Sequence, residues 1–452
     1  MGKYFGTDGV RGKANEGLTL EMSIKIGQYL GWYYGKEKHA KILIGKDTRL
    51  SGDMFELGLA AGATSMGAQA YLLGVCPTPA ISYLVRKERF DCGIMVSASH
   101  NPYYDNGIKC FNHNGEKMEE DLLLEIEAYM DGNCTIDLAT GDHIGEYFNW
   151  EDGLEIYMSW LKEIVPVDLE GYHIAVDLAN GSATSTVVET LDSLGATVEA
   201  INNSPNGINI NTKCGSTHPE NLQRMMREND FDLGLAFDGD ADRLIAVDPD
   251  GNLVDGDYIL YICSRYMKEK NTLNKNMCVT TVMANLGLYK ALDANKIDYI
   301  KTDVGDKYVF EEMQKNDYYL GGEQSGHIIF YEHAVTGDGL LTALKLLEIM
   351  KNTGKSVKEL SEGLFIYPQL LKNVKVNDKT RALNDKALKE VVDDVAKELG
   401  DEGRILVRPS GTEPLIRVMV EAKTDDLCAQ YVDRVVEFVE KNNYYEERYV
   451  YS

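Results

Sequence analysis

The sequence predicts an α/β fold of three consecutive, similar α/β domains with mixed sheets, followed by a smaller carboxyl-terminal α+β domain. Short apolar runs alternate with helical stretches over most of the chain, and this alternation restarts after polar stretches near residues 150–170 and 250–275. The pattern changes in the last part of the chain. A length of 452 residues is typical of about two to four domains.

The first α/β unit alternates three apolar runs, predicted as strands, with two helical stretches. They lie at residues 41–45, 54–66, 70–74, 79–87 and 93–96. Strands that alternate with helices form βαβ units. The same alternation begins again with the apolar runs 172–176 and 277–282. We therefore place the three α/β domains at residues 1–155, 156–256 and 257–368.

The carboxyl-terminal part has a different pattern. Two predicted strands, at residues 404–408 and 415–420, flank a turn rich in Pro, Ser and Gly, and helical stretches lie at 384–399 and 425–441. A segment of this size is short for a domain but within the usual range. It is predicted as an α+β domain at residues 369–452.

The chain is acidic, with 46 Lys and Arg against 72 Asp and Glu and a formal charge of −26. Binding to nucleic acid and docking on anionic membranes both depend on basic surfaces, so this balance argues against both classes of partner. A small anionic ligand would need a locally basic pocket.

The sequence has no 18-residue apolar run and no apolar segment near its start that would form a signal peptide. Its eight cysteines stand singly, without the Cys-x-x-Cys spacing of zinc ribbons or thioredoxin sites. We therefore expect a cytoplasmic protein whose thiols are reduced and mostly buried.

The segment 96–102, Val-Ser-Ala-Ser-His-Asn-Pro, follows a predicted strand. In open α/β sheets, ligands bind at the carboxyl ends of strands. A serine here, with His100 beside it, is a candidate nucleophile or phosphoryl carrier. The alternative is a turn in which Ser and Asn satisfy backbone groups. A Ser-His-Asp hydrolase is disfavoured because the Gly-x-Ser-x-Gly elbow is missing.

Asp238, Asp240 and Asp242 stand at alternate positions after an apolar run. Three carboxylates so close repel one another unless a cation lies among them. Oxygen ligands favour Mg²⁺, Mn²⁺ or Ca²⁺. A solvated acidic turn and an EF-hand are the alternatives. The EF-hand is disfavoured because Arg243 and Pro249 stand where it needs Gly and Glu.

Two further loops suit ligand recognition. Residues 321–327, Gly-Gly-Glu-Gln-Ser-Gly-His, combine a sharp turn with varied hydrogen-bonding groups that suit sugar hydroxyls or an amine. Residues 408–414, Arg-Pro-Ser-Gly-Thr-Glu-Pro, offer two hydroxyls and backbone amides near Gly411. With Arg408 and with Arg417 in the next strand, this set suits an anion. The alternatives are a structural histidine and an ordinary hairpin turn. The chain has no Walker A sequence.

A fifth loop, residues 5–12, contains three glycines and one arginine. Together, the five loops resemble the α-D-phosphohexomutase superfamily, and most strongly its bacterial phosphoglucosamine mutase branch. The resemblance extends from Phe5 to Ala422. Gln324 and the combination of Ser-Ala-Ser-His-Asn-Pro with Tyr-Tyr-Asp-Asn-Gly-Ile-Lys are typical of that branch. Further similar segments lie at residues 45–49, 105–109, 214–218 and 336–339.

The resemblance implies a role for each matching residue. Ser99 would carry the phosphoryl group and would hold Mg²⁺ together with Asp238, Asp240 and Asp242. Acid–base assistance and contact with the transferring group would come from Arg11, Lys109, His100 and Arg243. The sugar would be read by Lys307, Glu323, Ser325 and His327, and the non-reacting phosphate would be held by Arg408, Ser410, Gly411, Thr412 and Arg417. Lys307 replaces an expected arginine, so it keeps the charge without the bidentate fork.

The implied activity interconverts D-glucosamine 6-phosphate and α-D-glucosamine 1-phosphate through phospho-Ser99 and a 1,6-bisphosphate, and feeds UDP-N-acetylglucosamine and cell-wall precursor synthesis. A hexose 1,6-bisphosphate or a kinase would prime Ser99. Phosphoryl transfer depends mainly on positioning and on neutralisation of charge, which the cation-rich loops would supply. The resemblance also implies four domains around a central cleft and suggests a homodimer.

Three alternatives remain at this stage. A phosphomannomutase/phosphoglucomutase of the same superfamily would share all five loops. A non-catalytic sugar-phosphate sensor would not need the serine, the three aspartates or Lys109, which are all present. A Ca²⁺-binding structural protein is disfavoured by Pro249.

Overall fold

The computed structural model describes residues 2–6, 8–36, 38–410 and 414–442. The chain divides into two compact units, one of residues 1–283 with 296–362 and the other of residues 284–295 with 363–452. Within the described ranges, no helix combines the length and apolar character that crossing a membrane requires. All eight cysteines are free thiols, and Cys134 alone is exposed.

The first sheet is mixed and has seven strands. They are β1 (Phe5–Gly6), β2 (Gly9–Lys13), β3 (Lys41–Lys46), β4 (Gln69–Val75), β5 (Cys92–Val96), β6 (Asp105–Phe111) and β7 (Tyr147–Asn149). Their spatial order is β1-β2-β6-β5-β3-β4-β7. β3 runs parallel to β4 and β5, whereas β5 and β6 are antiparallel. The helices of this region are α1 (Leu20–Tyr34), α2 (Gly52–Thr64), α3 (Thr78–Lys87), α4 (Glu120–Met130) and α5 (Gly153–Ile164).

The centre of the first sheet is apolar on both faces. Every residue of β5 is buried, and Ile44 of β3 and Ile94 of β5 belong to the same core cluster. Continuous apolar runs of this kind suit strands that are covered on both sides. Because β3 and β5 are parallel, their carboxyl ends reach the same edge, and the segment with Ser99 begins there.

The second sheet is also mixed. Its strands are β8 (His173–Asp177), β9 (Thr197–Ile201), β10 (Leu233–Phe237), β11 (Leu244–Val247) and β12 (Leu253–Val254), in the spatial order β12-β11-β10-β8-β9. β10 is parallel to β8 and antiparallel to β11. The loop between β10 and β11 contains the three aspartates. The helices here are α6 (Val187–Ser193), α7 (Glu220–Glu228) and α8 (Gly256–Glu269).

The third sheet has four strands, β13 (Met277–Thr281), β14 (Asp298–Thr302), β15 (Leu320–Gly322) and β16 (Ile328–Phe330), in the order β14-β13-β15-β16. β15 is parallel to β13 and antiparallel to β16, so residues 323–327 form the connection between two antiparallel neighbours. The helices in this stretch are α9 (Leu286–Ala294), which belongs to the second compact unit, α10 (Asp306–Asn316), α11 (Gly339–Thr353) and α12 (Val357–Leu360).

The carboxyl-terminal sheet is smaller and fully antiparallel. Its strands are β17 (Gln369–Lys375), β18 (Arg404–Pro409) and β19 (Leu415–Glu421), with β19 in the centre. The accompanying helices are α13 (Lys379–Asn384), α14 (Lys386–Leu399) and α15 (Asp425–Lys441). Apolar residues of β17, β19, α14 and α15 form its core cluster. The predicted fold class, three mixed α/β sheets followed by a smaller α+β domain, is confirmed.

Candidate active site

Ser99 lies in a buried loop directly after β5. Its Oγ donates a hydrogen bond to Asp238 Oδ2 over 2.6 Å, and the same Oγ is 3.3 Å from His100 Nδ1. Ser99 is 1% exposed and has a left-handed φ of 51°. Residues with a Cβ rarely adopt this conformation, and it is common at functional sites. The carboxyl end of β5 thus presents the serine hydroxyl to the loop that follows β10.

The three aspartates of that second loop are suited to hold a metal ion. One carboxylate oxygen from each of Asp238, Asp240 and Asp242 lies within 4.8 Å of the others, and all three residues are buried. Oδ1 of Asp240 and Oδ1 of Asp242 are buried without a hydrogen-bond partner in the part of the chain that the structure describes. Buried, unsatisfied oxygens from hard ligands fit a divalent cation.

The electrostatics of Asp238 favour the same interpretation. Burial, followed by the charges of Asp242 and Asp240, raises the pKa of Asp238 well above its usual range. A divalent cation among the carboxylates would favour their charged forms and reverse this effect. Thr78 orients the site, because its hydroxyl donates to Asp240 Oδ2 over 2.5 Å and its backbone N–H donates to the carbonyl of Asp240 over 2.9 Å.

Lys109 on β6 faces this acidic site and is 4% exposed. Its Nζ lies 2.7 Å from Asp240 Oδ2, 3.4 Å from Asp242 Oδ2 and 3.7 Å from Asp8 Oδ2. Burial alone would lower the pKa of Lys109, but the carboxylates of Asp240, Asp8 and Asp242 raise it above its ordinary value. The side chain is therefore an ammonium ion that neutralises part of the acidic charge.

Six titratable side chains, one of which is Asp242 of the acidic loop, form a closed arrangement that we call the ionic ring. Its members are Asp242, Lys109, Asp8, Lys117, Asp306 and His327, and each lies within 4 Å of the next. Arg11 adds an ion pair to Asp8. Burial alone would raise the pKa of Asp8, but Lys109, Lys117 and Arg11 hold it well below its usual range.

His100 and Arg243 stand beside Ser99 and the loop of the three aspartates. Burial, then the charges of Arg243 and Arg11, lower the pKa of His100 to about 4, so the imidazole is neutral at pH 7. The backbone N–H of Arg243 donates to Asp238 Oδ1 over 3.2 Å. The Nε atoms of Arg243 and Arg11 are buried and have no hydrogen-bond partner among the described residues, so both can donate to an anion.

The loop between β15 and β16 brings Glu323, Ser325 and His327 to the same region. Glu323 Oε1 accepts from Gly305 N over 3.1 Å, and burial raises the pKa of Glu323. Ser325 Oγ is buried and unpartnered within the described ranges. His327 is 2% exposed, and its Nε2 accepts from Gly337 N over 2.9 Å. The hydroxyl of Ser325 and the Glu323 carboxylate thus have capacity left for a sugar, and the hydrogen bond from Gly337 N holds the ring of His327 in place.

Gln324 and Lys307 face different neighbours. Gln324 Nε2 donates to Asp255 Oδ2 over 3.2 Å, so this side chain helps to hold the loop to the start of α8. Lys307 at the start of α10 lies 3.6 Å from Glu120 and 3.7 Å from Glu311. It lines a cavity of about 580 Å³ together with Asp306 and Tyr308.

The predicted phosphate-binding residues lie in the second compact unit. Arg408 on β18 stands directly opposite Arg417 on β19. Burial and the charge of Arg417 lower the pKa of Arg408, and Arg417 Nε is buried without a partner in the described ranges. Ser410 is buried, and its backbone N–H donates to Leu415 O over 3.0 Å. Like charges on opposed strands are unfavourable unless an anion lies between them. Gly411 and Thr412 lie outside the described residues.

Several residues at the site escaped the interpretation of the sequence. Lys117 of the ionic ring stands outside the similar segments, and no local signal distinguishes it from a surface charge. Asp306 lies next to Lys307, but the resemblance gave it no role. Asp8 lies in the fifth loop, where its position two residues before the Val-Arg pair could have suggested a partner for Arg11. Asn211, which donates to the carbonyl of Ser99 over 2.8 Å, also had no assigned role.

Comparison with known proteins places these residues in a family. Profiles described as phosphoglucomutase/phosphomannomutase match four consecutive parts of the chain: alpha/beta/alpha domain I at residues 2–135, domain II at 155–251, domain III at 255–366 and the C-terminal domain at 371–438. The chain belongs to the phosphoglucomutase/phosphomannomutase family. The resemblance expected from the five loops is thereby confirmed. Family membership implies a metal cofactor and a bisphosphate intermediate, and the three aspartates are compatible with the metal.

Relatives within the family are similar over their full length. The chain is 53% identical to the phosphoglucosamine mutase of Lachnospira eligens, over 98% of this chain and 100% of the relative. It is 54% identical to that of Lachnoclostridium phytofermentans, over 96% and 98%. A phosphoglucomutase/phosphomannomutase family protein from Burkholderia thailandensis has the same fold, with a TM-score of 0.78 at 22% identity over 97% of this chain and 98% of that one.

Proposed function

We propose that this protein is a phosphoglucosamine mutase that interconverts D-glucosamine 6-phosphate and α-D-glucosamine 1-phosphate. The observation that carries the proposal is the hydrogen bond from Ser99 Oγ to Asp238, which sets a buried serine beside three clustered carboxylates and the ammonium of Lys109. The choice of glucosamine is supported by the relatives at 53% and 54% identity, whose names are phosphoglucosamine mutase.

In the proposed reaction, O1 of glucosamine 6-phosphate attacks the phosphorus of phospho-Ser99. The bond from phosphorus to O1 forms, the bond to Ser99 Oγ breaks, and glucosamine 1,6-bisphosphate results. The bisphosphate then reorients, and Ser99 Oγ attacks the 6-phosphate. The bond from phosphorus to O6 breaks, O6 takes up a proton in place of the one that O1 lost in the first transfer, and glucosamine 1-phosphate leaves. The transfer needs in-line positioning and charge neutralisation more than covalent chemistry from the protein.

The charged side chains at the site have different proposed roles in this transfer. Lys109 and Arg11 neutralise charge near the reacting oxygens and assist the proton exchange between the sugar hydroxyl and its surroundings. Arg243 and His100 contact the transferring phosphoryl group, since Arg243 Nε is free to donate and His100 lies next to Ser99. We assign sugar recognition to Glu323, Ser325, His327 and Lys307, and binding of the non-reacting phosphate to Arg408, Ser410, Gly411, Thr412 and Arg417.

We propose Mg²⁺ as the metal cofactor, held by Asp238, Asp240, Asp242 and an oxygen of phospho-Ser99. A hard divalent cation at this position supplies neutralisation of the phosphoryl oxygens. Three protein carboxylates would leave other positions on the cation for the oxygens of the substrate. A hexose 1,6-bisphosphate or a kinase is proposed to prime Ser99.

A substrate panel tests the proposal. Purified protein with Mg²⁺ and a hexose 1,6-bisphosphate should convert glucosamine 6-phosphate faster than glucose or mannose phosphates. Faster turnover of glucose or mannose phosphates would instead assign the protein to the phosphomannomutase/phosphoglucomutase branch. Ser99→Ala should abolish both turnover and phosphate incorporation, and labelling that persists in this variant would rule out the phosphoserine role.

Three further proposals concern the protein as a whole. Domain boundaries are proposed after residues 155, 256 and 368, and limited proteolysis at these points would test them. A homodimer is proposed, and multi-angle light scattering would show a mass of twice 50.4 kDa. A cytoplasmic location is proposed because sugar phosphates of this kind are intermediates of soluble metabolism, and fractionation of cells tests it.

A further inference from the structure

We infer that Asn211 is a positioning residue that holds the backbone of Ser99 in the orientation required for phosphoryl transfer. The inference builds on the proposed role of Ser99. The new element is the role of Asn211 itself. This residue belongs to the second α/β region, and it contacts neither the carboxylate oxygens of the proposed metal ligands nor the hydroxyl of Ser99.

The backbone of Ser99 is held at both of its polar groups. Its N–H donates to Ser97 Oγ over 2.9 Å. Its carbonyl oxygen accepts from Arg49 Nη2 and from Asn211 Nδ2, each over 2.8 Å. A serine with a φ of 51° needs these hydrogen bonds, because a left-handed conformation is unfavourable for a residue with a Cβ and persists only where several neighbouring groups hold it.

Arg49 forms the half of this support that comes from the first sheet region. Its side chain is fully buried and pairs through Nε with Asp47 Oδ2 over 2.8 Å. Its other nitrogens donate to the carbonyls of Asn101 over 2.8 Å and Asp105 over 3.0 Å. Asp47 also accepts from Ser97 Oγ over 2.6 Å, so the residues on either side of Ser99 share one buried network.

Asn211 forms the other half and comes from the segment between β9 and α7. It is 8% exposed and has a φ of 57°, a conformation that asparagine tolerates better than most residues. Its own N–H donates to Ala179 O over 2.9 Å, which ties it to the end of β8. Its Nδ2 also lies 3.1 Å from Asn101 O. One amide group therefore bridges the second sheet region to two carbonyls of the serine loop.

The metal-binding loop closes on the same point. A Cβ added to Gly239 would lie 2.4 Å from the carbonyl oxygen of Ser99 and 2.9 Å from Asn211 Nδ2. Gly239 stands between Asp238 and Asp240, so the serine loop, the amide of Asn211 and the metal-binding loop are in close contact. The amide of Asn211 thus fixes the position of Ser99 relative to Asp238.

The test compares Asn211→Asp and Asn211→Gly with Asn203→Asp. Asp keeps the size of the side chain but replaces a donor with an acceptor that faces two carbonyls, and Gly keeps the left-handed backbone but removes the amide. Asn203 is an exposed asparagine of the same segment, so its replacement controls for the added charge. In the mutase assay with saturating bisphosphate and Mg²⁺, we expect both Asn211 variants to lose about 10- to 100-fold in kcat. KM for glucosamine 6-phosphate should stay within about threefold of the wild-type value.

Hydrogen exchange gives a readout that is independent of turnover. The amides of residues 98–101 should exchange at least tenfold faster in both Asn211 variants than in wild type or Asn203→Asp, while the rest of the chain keeps its protection. A kcat within twofold of wild type in Asn211→Gly, or unchanged exchange at residues 98–101, would overturn the inference. If wild-type protein converts no hexosamine phosphate, the proposed function fails, and the exchange data still decide whether Asn211 positions Ser99.

Discussion

Lys117 and Asp306 form an ion pair in which the ammonium lies 2.7 Å from Asp306 Oδ2. The same ammonium is 3.0 Å from Asp8 Oδ1. Lys117 follows β6 of the first sheet, and Asp306 begins α10 beside the third sheet. One cation therefore joins the segment that carries Arg11 to the helix that carries Lys307, two residues with proposed roles in the reaction.

Lys117→Met should weaken both the fold and the reaction. It leaves two carboxylates without their shared cation, and a lost hydrogen bond to a charged group costs about 2 kcal/mol in the free energy of unfolding, measured by urea denaturation. We also expect about a tenfold fall in kcat/KM. Lys358→Met is the matched control, because its ion pair with Asp250 is more than half exposed and should contribute little. Equal losses in both variants would contradict a special role for Lys117.

Removal of divalent metal should abolish turnover and lower the melting temperature. A ligand that binds only the folded protein stabilises it in proportion to the logarithm of its concentration, so the melting temperature should rise with added Mg²⁺. Asp238→Asn should lose this response. In EDTA the variant should melt no lower than wild type, because Asp238 is buried beside two like charges that raise its pKa. A clearly lower melting temperature in EDTA would show that the Asp238 charge stabilises the metal-free fold.

Asp338 should make stability depend on pH. Burial raises its pKa to about 6 from an ordinary value of 3.8. The folded protein therefore binds the proton more tightly than the unfolded chain, and the free energy of unfolding should fall as pH rises from about 4 to about 6, by ~3 kcal/mol. Asp338→Asn should remove this slope and keep the helix cap, since asparagine can also accept from Leu341 N. Urea unfolding at several pH values measures the slope, and an unchanged slope in the variant would assign it to other carboxyls.

Arg408→Gln should weaken substrate binding without weakening the fold. Arg408 stands opposite Arg417, so its removal relieves a repulsion and also removes a proposed phosphate ligand. We expect KM for glucosamine 6-phosphate to rise about 10- to 100-fold, with an unchanged or higher melting temperature. Lys375→Gln, an exposed cation on β17 of the same sheet, should leave both quantities unchanged. A KM in Arg408→Gln equal to that of the control would remove Arg408 from the phosphate site.

The sequence allowed prediction of those parts of the site that depend on local order. The strands before Ser99 and Asp238 are continuous apolar runs, and a polar residue directly after a buried strand lies at the edge of the sheet where ligands bind. The three aspartates at alternate positions predict a shared cation from repulsion alone. The fold class followed from the same alternation of strands and helices.

The rest depends on distant pairings that no local pattern encodes. Lys117 and Asp306 are 189 positions apart in the chain, and Asn211 and Ser99 are 112 apart. In the sequence alone, each of these polar residues is indistinguishable from an ordinary loop or helix-terminal residue. Their importance arises because the ends of three sheets meet within the first compact unit, and only the three-dimensional structure places them side by side.

The ionic ring has a consequence for folding during synthesis on the ribosome. Asp8 and Lys109 are translated well before Asp242, and the ring is closed only by Asp306 and His327. Domains generally fold one after another during synthesis, beginning at the amino terminus. A stalled or truncated chain can therefore contain a folded first sheet in which Lys109 lacks most of its carboxylate neighbours and Ser99 lacks its hydrogen bonds with Asn211 and Asp238. The ring can therefore close only after His327 has been made.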